Sequence, residues 1–140
     1  MSVRLVLVAG SLMLAGCGTT GMGRGGAGVS GQPGSVPSTV ISAMGGGLVS
    51  GSIGSGLSGS ERRSGLEAEY KALEYTPSGQ TVTWKGNQPS RYGEVVAAQP
   101  YRVGSQDCRQ YTHTVYTGGT GVSARGTACR NADGSWTPLT

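Results

Sequence analysis

Cys108-Arg109-Gln110-Tyr111-Thr112-His113-Thr114-Val115-Tyr116-Thr117-Gly118-Gly119-Thr120-Gly121-Val122-Ser123-Ala124-Arg125-Gly126-Thr127-Ala128-Cys129 holds two cysteines on either side of a Gly-Gly pair. The flanking runs are rich in Thr, Val and Tyr, which favour strands, and Gly118-Gly119 suits a two-residue hairpin turn. With that turn Thr117 faces Thr120. The numbers of every facing pair then add to 237, as do those of Cys108 and Cys129. The turn alone places the cysteines opposite each other, in a non-hydrogen-bonded pair where side chains lie close. One face of the hairpin carries Arg109, Tyr111, His113 and Val115 opposite Ala128, Gly126, Ala124 and Val122. That is the core-side candidate, with Tyr111 filling the space left by Gly126.

Before the hairpin, Leu66, Tyr70 and Leu73 recur at i, i+4, i+7 and predict a helix. Ser64 and Glu67 have the spacing of a capping box, with Ser60 a second candidate cap. Glu67 and Lys71 form an i, i+4 pair. Thr76-Pro77 ends the helix. Strands follow at Thr81–Trp84 and Tyr92–Ala98, the latter extending through Tyr101–Val103. After the hairpin strands, the turn Asn131-Ala132-Asp133-Gly134 leads to a short strand at Ser135–Leu139. The expected fold is α+β: one N-terminal helix packed on a small antiparallel sheet of four to five strands, spanning 61–140.

The other half of the chain has a different composition. Of 140 residues 27 are glycine, and no charge occurs between Arg24 and Glu61. Residues 17–38 read as a flexible Gly/Ser tether. In 39–60 all seven bulky apolar residues (Val40, Ile41, Met44, Leu48, Val49, Ile53, Leu57) fall on two adjacent lines of fourfold spacing. This run admits two readings. One is a membrane-associated glycine-zipper helix, able to form a homo-oligomer through small-residue contacts. The other is a disordered linker, because each glycine costs a helix up to about 1 kcal/mol.

At the start, a basic Arg4 precedes an apolar run from Leu5 to Leu14, too short to span a bilayer. It fits a signal-peptide h-region, so residues 1–16 read as a signal peptide. Leu14-Ala15-Gly16-Cys17 resembles the bacterial lipobox. That resemblance implies cleavage after Gly16 and lipidation of Cys17, which then anchors the chain to the outer membrane. Two or more acyl chains give durable anchoring. Cys108 and Cys129 are left as an even pair in an oxidising compartment, where a disulfide is favoured.

Chemistry-bearing constellations are sparse. His113 is the only histidine and faces away from both thiols of the hairpin, so neither a cysteine nucleophile nor a zinc site is expected. Glu67, Glu69 and Glu74 read as acids on the helix surface. Trp84 and Trp136 are candidates for a binding surface or for the core. No phosphate loop follows a strand. The 10 basic and 7 acidic residues after position 16 are scattered, which argues against nucleic acid. No enzyme, cofactor or metal is expected.

The layout is similar to that of the 17 kDa surface-antigen type outer-membrane lipoproteins of proteobacteria. The features are Leu14-Ala15-Gly16-Cys17 and the run Gly45-Gly46-Gly47-Leu48-Val49-Ser50-Gly51. Ala72-Leu73-Glu74-Tyr75-Thr76-Pro77-Ser78-Gly79-Gln80, leading into Val82-Thr83-Trp84, is another. Tyr101 to Tyr111, and Gly126-Thr127-Ala128-Cys129-Arg130 through Asp133-Gly134-Ser135-Trp136, complete the set. The resemblance implies a lipid-anchored envelope protein facing periplasm or cell surface, with a structural or interaction role and no established catalytic residues. The alternative is a small disulfide-bonded binding module, such as an inhibitor of an exported hydrolase.

Overall fold

A computed structural model of the chain describes residues Val36–Leu139. The expected signal peptide 1–16, Gly16, Cys17 and most of the 17–38 tether lie outside the described residues.

The hairpin has the register that its turn dictates. Strand β4 (Gln106–Thr117) and strand β5 (Thr120–Arg130) pair from Thr117↔Thr120 to Cys108↔Cys129. Gly118 and Gly119 take φ of 60° and 90°, the left-handed values that a type I′ turn needs. Cys108 and Cys129 are disulfide-bonded, with Cα atoms 4.0 Å apart. Around this pair the other strands assemble antiparallel: β1 (Thr81–Lys85), β2 (Arg91–Ala97), β3 (Tyr101–Val103) and β6 (Trp136–Leu139), in the order β1-β2-β4-β5-β6, with β3 on β4.

The described residues therefore form mostly antiparallel sheet, with six strands and one main helix, which corrects the expected α+β arrangement in two respects. Residues 92–103 do not form one strand. Pro100 has no N–H to give a ladder, and the chain breaks there into β2 and β3, which pair with successive parts of β4. Nor is the main helix, α2 (Gly59–Glu74), N-terminal. A short helix α1 (Ser38–Ser42) and two 3-10 turns, Leu48–Ser50 and Ser52–Gly54, precede it. These turns fold because their apolar side chains have a core to enter: Ile41, Met44, Val49, Ile53 and Leu57 are all buried. No continuous helix runs through 39–60, since Gly45, Gly46 and Gly47 all have positive φ. Among the described residues no helix is long and apolar enough to cross a membrane.

Helix α2 starts about two turns ahead of Leu66, where its apolar spacing begins. Ser58, not Ser64, is the cap: its Oγ accepts from Glu61 N, and Glu61 Oε2 accepts from Ser58 N at 2.9 Å. The helix lays Leu66, Ala68, Tyr70, Ala72 and Leu73 against the sheet, where Trp84, Val95, Ala97, Tyr111 and Val115 are buried. At its far end Arg109, reaching up from β4, donates from Nη1 to the carbonyls of Ala72, Leu73 and Thr76 at 3.0, 2.7 and 3.0 Å. A cation on the last carbonyls satisfies orphan acceptors and complements the helix dipole. Glu67 pairs with Arg63, not with Lys71.

The disulfide closes the hairpin at the end remote from its turn. A bridge across a separation of 21 residues removes enough unfolded-chain entropy to stabilise by about 3 kcal/mol. The double variant Cys108→Ala/Cys129→Ala should lose about that much in urea unfolding while keeping the β4–β5 register.

Candidate functional site

The densest polar cluster lies inside the molecule, between α2 and the sheet. Trp84 from β1 lies directly over Gly93 of β2; a Cβ there would fall 2.2 Å from the indole nitrogen. That bare position lets the indole reach across to β4, where Nε1 donates to His113 Nε2 at 2.8 Å. An indole N–H can only donate, so Nε2 accepts and the ring proton sits on Nδ1. Nδ1 donates in turn to Glu69 Oε1 at 2.7 Å. His113 and Glu69 are both fully buried.

Glu69 does more than orient the histidine. Its Oε1 also accepts from Val49 N at 3.0 Å, and Oε2 accepts from Leu48 N at 3.1 Å. These are the first N–H groups of the Leu48–Ser50 turn, which have no partner within the turn itself. A carboxylate taken out of water is costly unless its lone pairs are filled, and here three donors fill them. Gly47 makes the approach feasible: its φ is +59°, and a Cβ would fall 2.0 Å from Glu69 Oε2. Gly65 does the same on the helix, since a Cβ there would press on Val49, His113 and Trp84. Tyr111 sits over Gly126, as its register position implies, with Leu48 covering the same glycine. Burial and the charge of Glu69 together hold the Tyr111 hydroxyl well above its ordinary pKa.

Three arginines also fasten the glycine-rich segment. Arg62 Nε donates to Gly54 O at 3.2 Å, and Arg63 Nη2 donates to Val36 O at 3.2 Å. Arg91 donates to Gly56 O. Glu61 is buried between Ser58 N and Asn87 N, with Arg91 at 3.5 Å. The N–H donors of Asn87 and Ser58, ahead of the Arg91 charge, hold its carboxyl below the usual range. At the other end of the helix, Arg130 grips Glu74 through two bonds of 2.9 and 3.0 Å, and Trp136 Nε1 adds a third at 2.8 Å. These contacts, Arg130 first, lower the Glu74 pKa.

Several expected site residues take other roles. Trp84 and Trp136 are 5% and 3% exposed, so neither presents a binding surface. Glu69 is not a helix-surface acid. Both nitrogens of His113 are engaged, which leaves it no free lone pair to act as a base. Among the described residues no group of His, Cys, Asp or Glu is arranged to hold a metal ion. Sequence spacing could not reveal the Glu69–His113 contact, because the residues are 44 positions apart. Ser58-Gly59-Ser60-Glu61 has the same capping-box spacing as Ser64–Glu67, and it is the earlier of the two that caps the helix.

The outer face is more open. The connection between β1 and β2 borders a cavity of about 530 Å³, lined by Lys85, Asn87, Gln88, Pro89, Arg91 and Tyr92. Tyr92 stacks on Tyr116 with ring centroids 4.6 Å apart, and Tyr116 leans over Gly121.

Residues 71–137 match the family described as 17 kDa outer membrane surface antigen. Over 85 residues the chain is 40% identical to a 17 kDa surface antigen of Rickettsia bellii, covering 60% of this chain and 54% of that protein. A 17 kDa surface antigen of Rickettsia conorii is 40% identical over 82 residues, covering 58% and 52%. That of Rickettsia felis matches to the same extent. The chain spans about half the length of these curated relatives. No solved structure matches it.

Two measurements check the interior site. Gly47→Ala forces a left-handed residue and displaces Glu69, so it should cost at least the roughly 1–2 kcal/mol of the backbone term. Limited proteolysis should then cut within 36–57 while the disulfide-closed sheet persists. On acidification, Glu61 and Glu74 carry depressed pKa values, so their stabilisation is complete above the ordinary carboxylate value near 4.3 and is lost as pH falls through the folded-state values. Urea midpoints should drop below about pH 4.5, and Glu61→Gln should flatten part of that slope.

Proposed function

We propose, for a chain that belongs through residues 71–137 to the 17 kDa surface antigen family, a role as a lipid-anchored outer-membrane protein acting by binding or scaffolding. A cell-surface or outer-membrane location accords with relatives that are themselves surface antigens. The observation that carries the finer reading is the Cys108–Cys129 bond. A disulfide fits an oxidising compartment outside the cytoplasm. It also accounts for two of the three cysteines and leaves Cys17, directly after Leu14-Ala15-Gly16, as the remaining thiol. That is the arrangement a lipobox requires, with residues 1–16 removed as the signal peptide.

The non-catalytic part of the reading is supported by the interior. The one histidine is spent on Trp84 and Glu69, and the buried acids are spent on backbone N–H groups and arginines. The polar groups best placed for chemistry are used instead to fasten chain segments together. What the fold offers outward is strand edge, hydroxyl-lined sheet and loop, which suits recognition of another macromolecule.

Metabolic labelling with a fatty-acid analogue and membrane fractionation test the anchor. The wild-type chain should carry label and sediment with the outer membrane. Cys17→Ala should lose both while keeping the Cys108–Cys129 bond. Labelling of Cys17→Ala equal to wild type would sink the assignment.

A further inference from the structure

The two outermost strands of the sheet differ in the way that matters for recognition. Gly86 N donates to Arg91 O, and that pair continues the β1–β2 register one step past Lys85↔Tyr92. Hydrogen-bonded pairs alternate in an antiparallel ladder. Trp84 and Val82 therefore bond inward to β2, and Thr81, Thr83 and Lys85 turn their N–H and C=O groups outward. At the opposite edge, Asn131 N donates to Ser135 O. The same alternation turns Trp136 and Pro138 of β6 outward, and Pro138 has no N–H to offer. One edge is thus blocked by a proline at an outward-facing position, a common device against strand addition. Among the described residues no strand pairs with the outer side of the other edge, β1.

The open edge is also furnished. A cleft of about 240 Å³ runs between β1 and one face of α2, lined by Ser64, Glu67 and Lys71 from the helix and by Val82, Trp84 and Lys85 from the strand. Glu67 is neutralised by Arg63. Lys71 and Lys85 take part in none of the ion pairs among the described residues. A segment lying here meets two uncommitted cations and a row of unpaired backbone groups.

We propose that the β1–α2 cleft binds an extended acidic peptide segment of another protein, added to the sheet as a strand beside β1. Backbone hydrogen bonds to Thr81, Thr83 and Lys85 supply affinity, and acidic side chains on both faces of the added strand, one set toward Lys71 on the helix side and the other toward Lys85 on the far side, supply selectivity. The occupant is not the N-terminal part of this chain: residues 1–35 contain Arg4 and Arg24 and no Asp or Glu. The proposal rests on the interaction role argued above, but its test is independent of anchoring or location, because it is done in solution.

The oxidised full-length chain is titrated with two capped heptapeptides, Thr-Glu-Glu-Val-Glu-Glu-Thr, which carries acids on both faces of an extended strand, and its counterpart with Lys for Glu. The acidic peptide should bind at least tenfold more tightly and should slow hydrogen exchange at the amides of Thr83 and Lys85. Thr83→Pro removes an outward N–H and no rung of the β1–β2 ladder, so it should weaken binding at least tenfold with the fold intact. Lys71→Glu/Lys85→Glu, which leaves the edge untouched, should reverse the charge preference. Equal binding of the two peptides, no binding of the acidic one, or unchanged affinity in both variants would overturn the proposal. So would a self-associated dimer that buries β1 and is not displaced by the acidic peptide.

Discussion

A single carboxylate, that of Glu69, governs how the rest of the molecule closes. It sits in the interior, where an ionised group is tolerated only if donors surround it. The three donors come from places distant in the chain: the Leu48 and Val49 amides and the His113 ring. His113 is itself fixed by Trp84 from the first strand. Removing the Glu69 carboxylate strands the others. The amides of the 48–50 turn would lose their acceptor, the imidazole its orientation, and the indole its only bond in the core. Helix, sheet and glycine-rich segment therefore all meet at this one point, in addition to the arginine contacts made elsewhere.

The helix that carries Glu69 is held at its ends by charges of the sign its dipole favours. Glu61 stands in the first turn, where N–H groups from Ser58 and Asn87 converge on it. Arg109 meets the last carbonyls. Each comes with a link to the sheet, Glu61 through Asn87 and Arg109 through β4. The helix is thereby set in register along the sheet as well as pressed onto it. Apolar packing by Leu66 and Leu73 could not fix that position alone, because it tolerates sliding.

Parts of this were legible in the sequence, for identifiable reasons. The hairpin register follows from a two-residue turn and a side-chain period of two, both local properties, so Cys108 opposite Cys129 could be worked out before any coordinates. The apolar face of the helix and the turn at 131–134 are local as well. The glycine-rich segment was not legible. Its apolar residues recur every four positions, which suggests one helix, but Gly45, Gly46 and Gly47 turn the chain and deliver the same residues to the core as separate turns. What decides between the two arrangements is Glu69, whose pairing is tertiary. Trp84 and Trp136 were ambiguous for a similar reason: an indole can be core or surface until its N–H partner is known, and here the partners are His113 and Glu74. Pro100 carried a readable signal, and it splits the strand that periodicity had joined.

The order of attachment has a mechanical consequence. A pull on the N-terminal side of Val36 first loads the Arg63 bond to Val36 O, then the Glu69 bonds at 48–49, then the Arg62 bond to Gly54 O. These bonds lie at separate points along 36–57, so tension meets them a few at a time, as in peeling tape, and not all together as in shear. The sheet lies further along the chain, and its longest hairpin is closed by a covalent bond. Under load the segment 36–57 would strip from the helix and lengthen the chain ahead of it while the sheet stays whole, so the fold contains its own extensible lead.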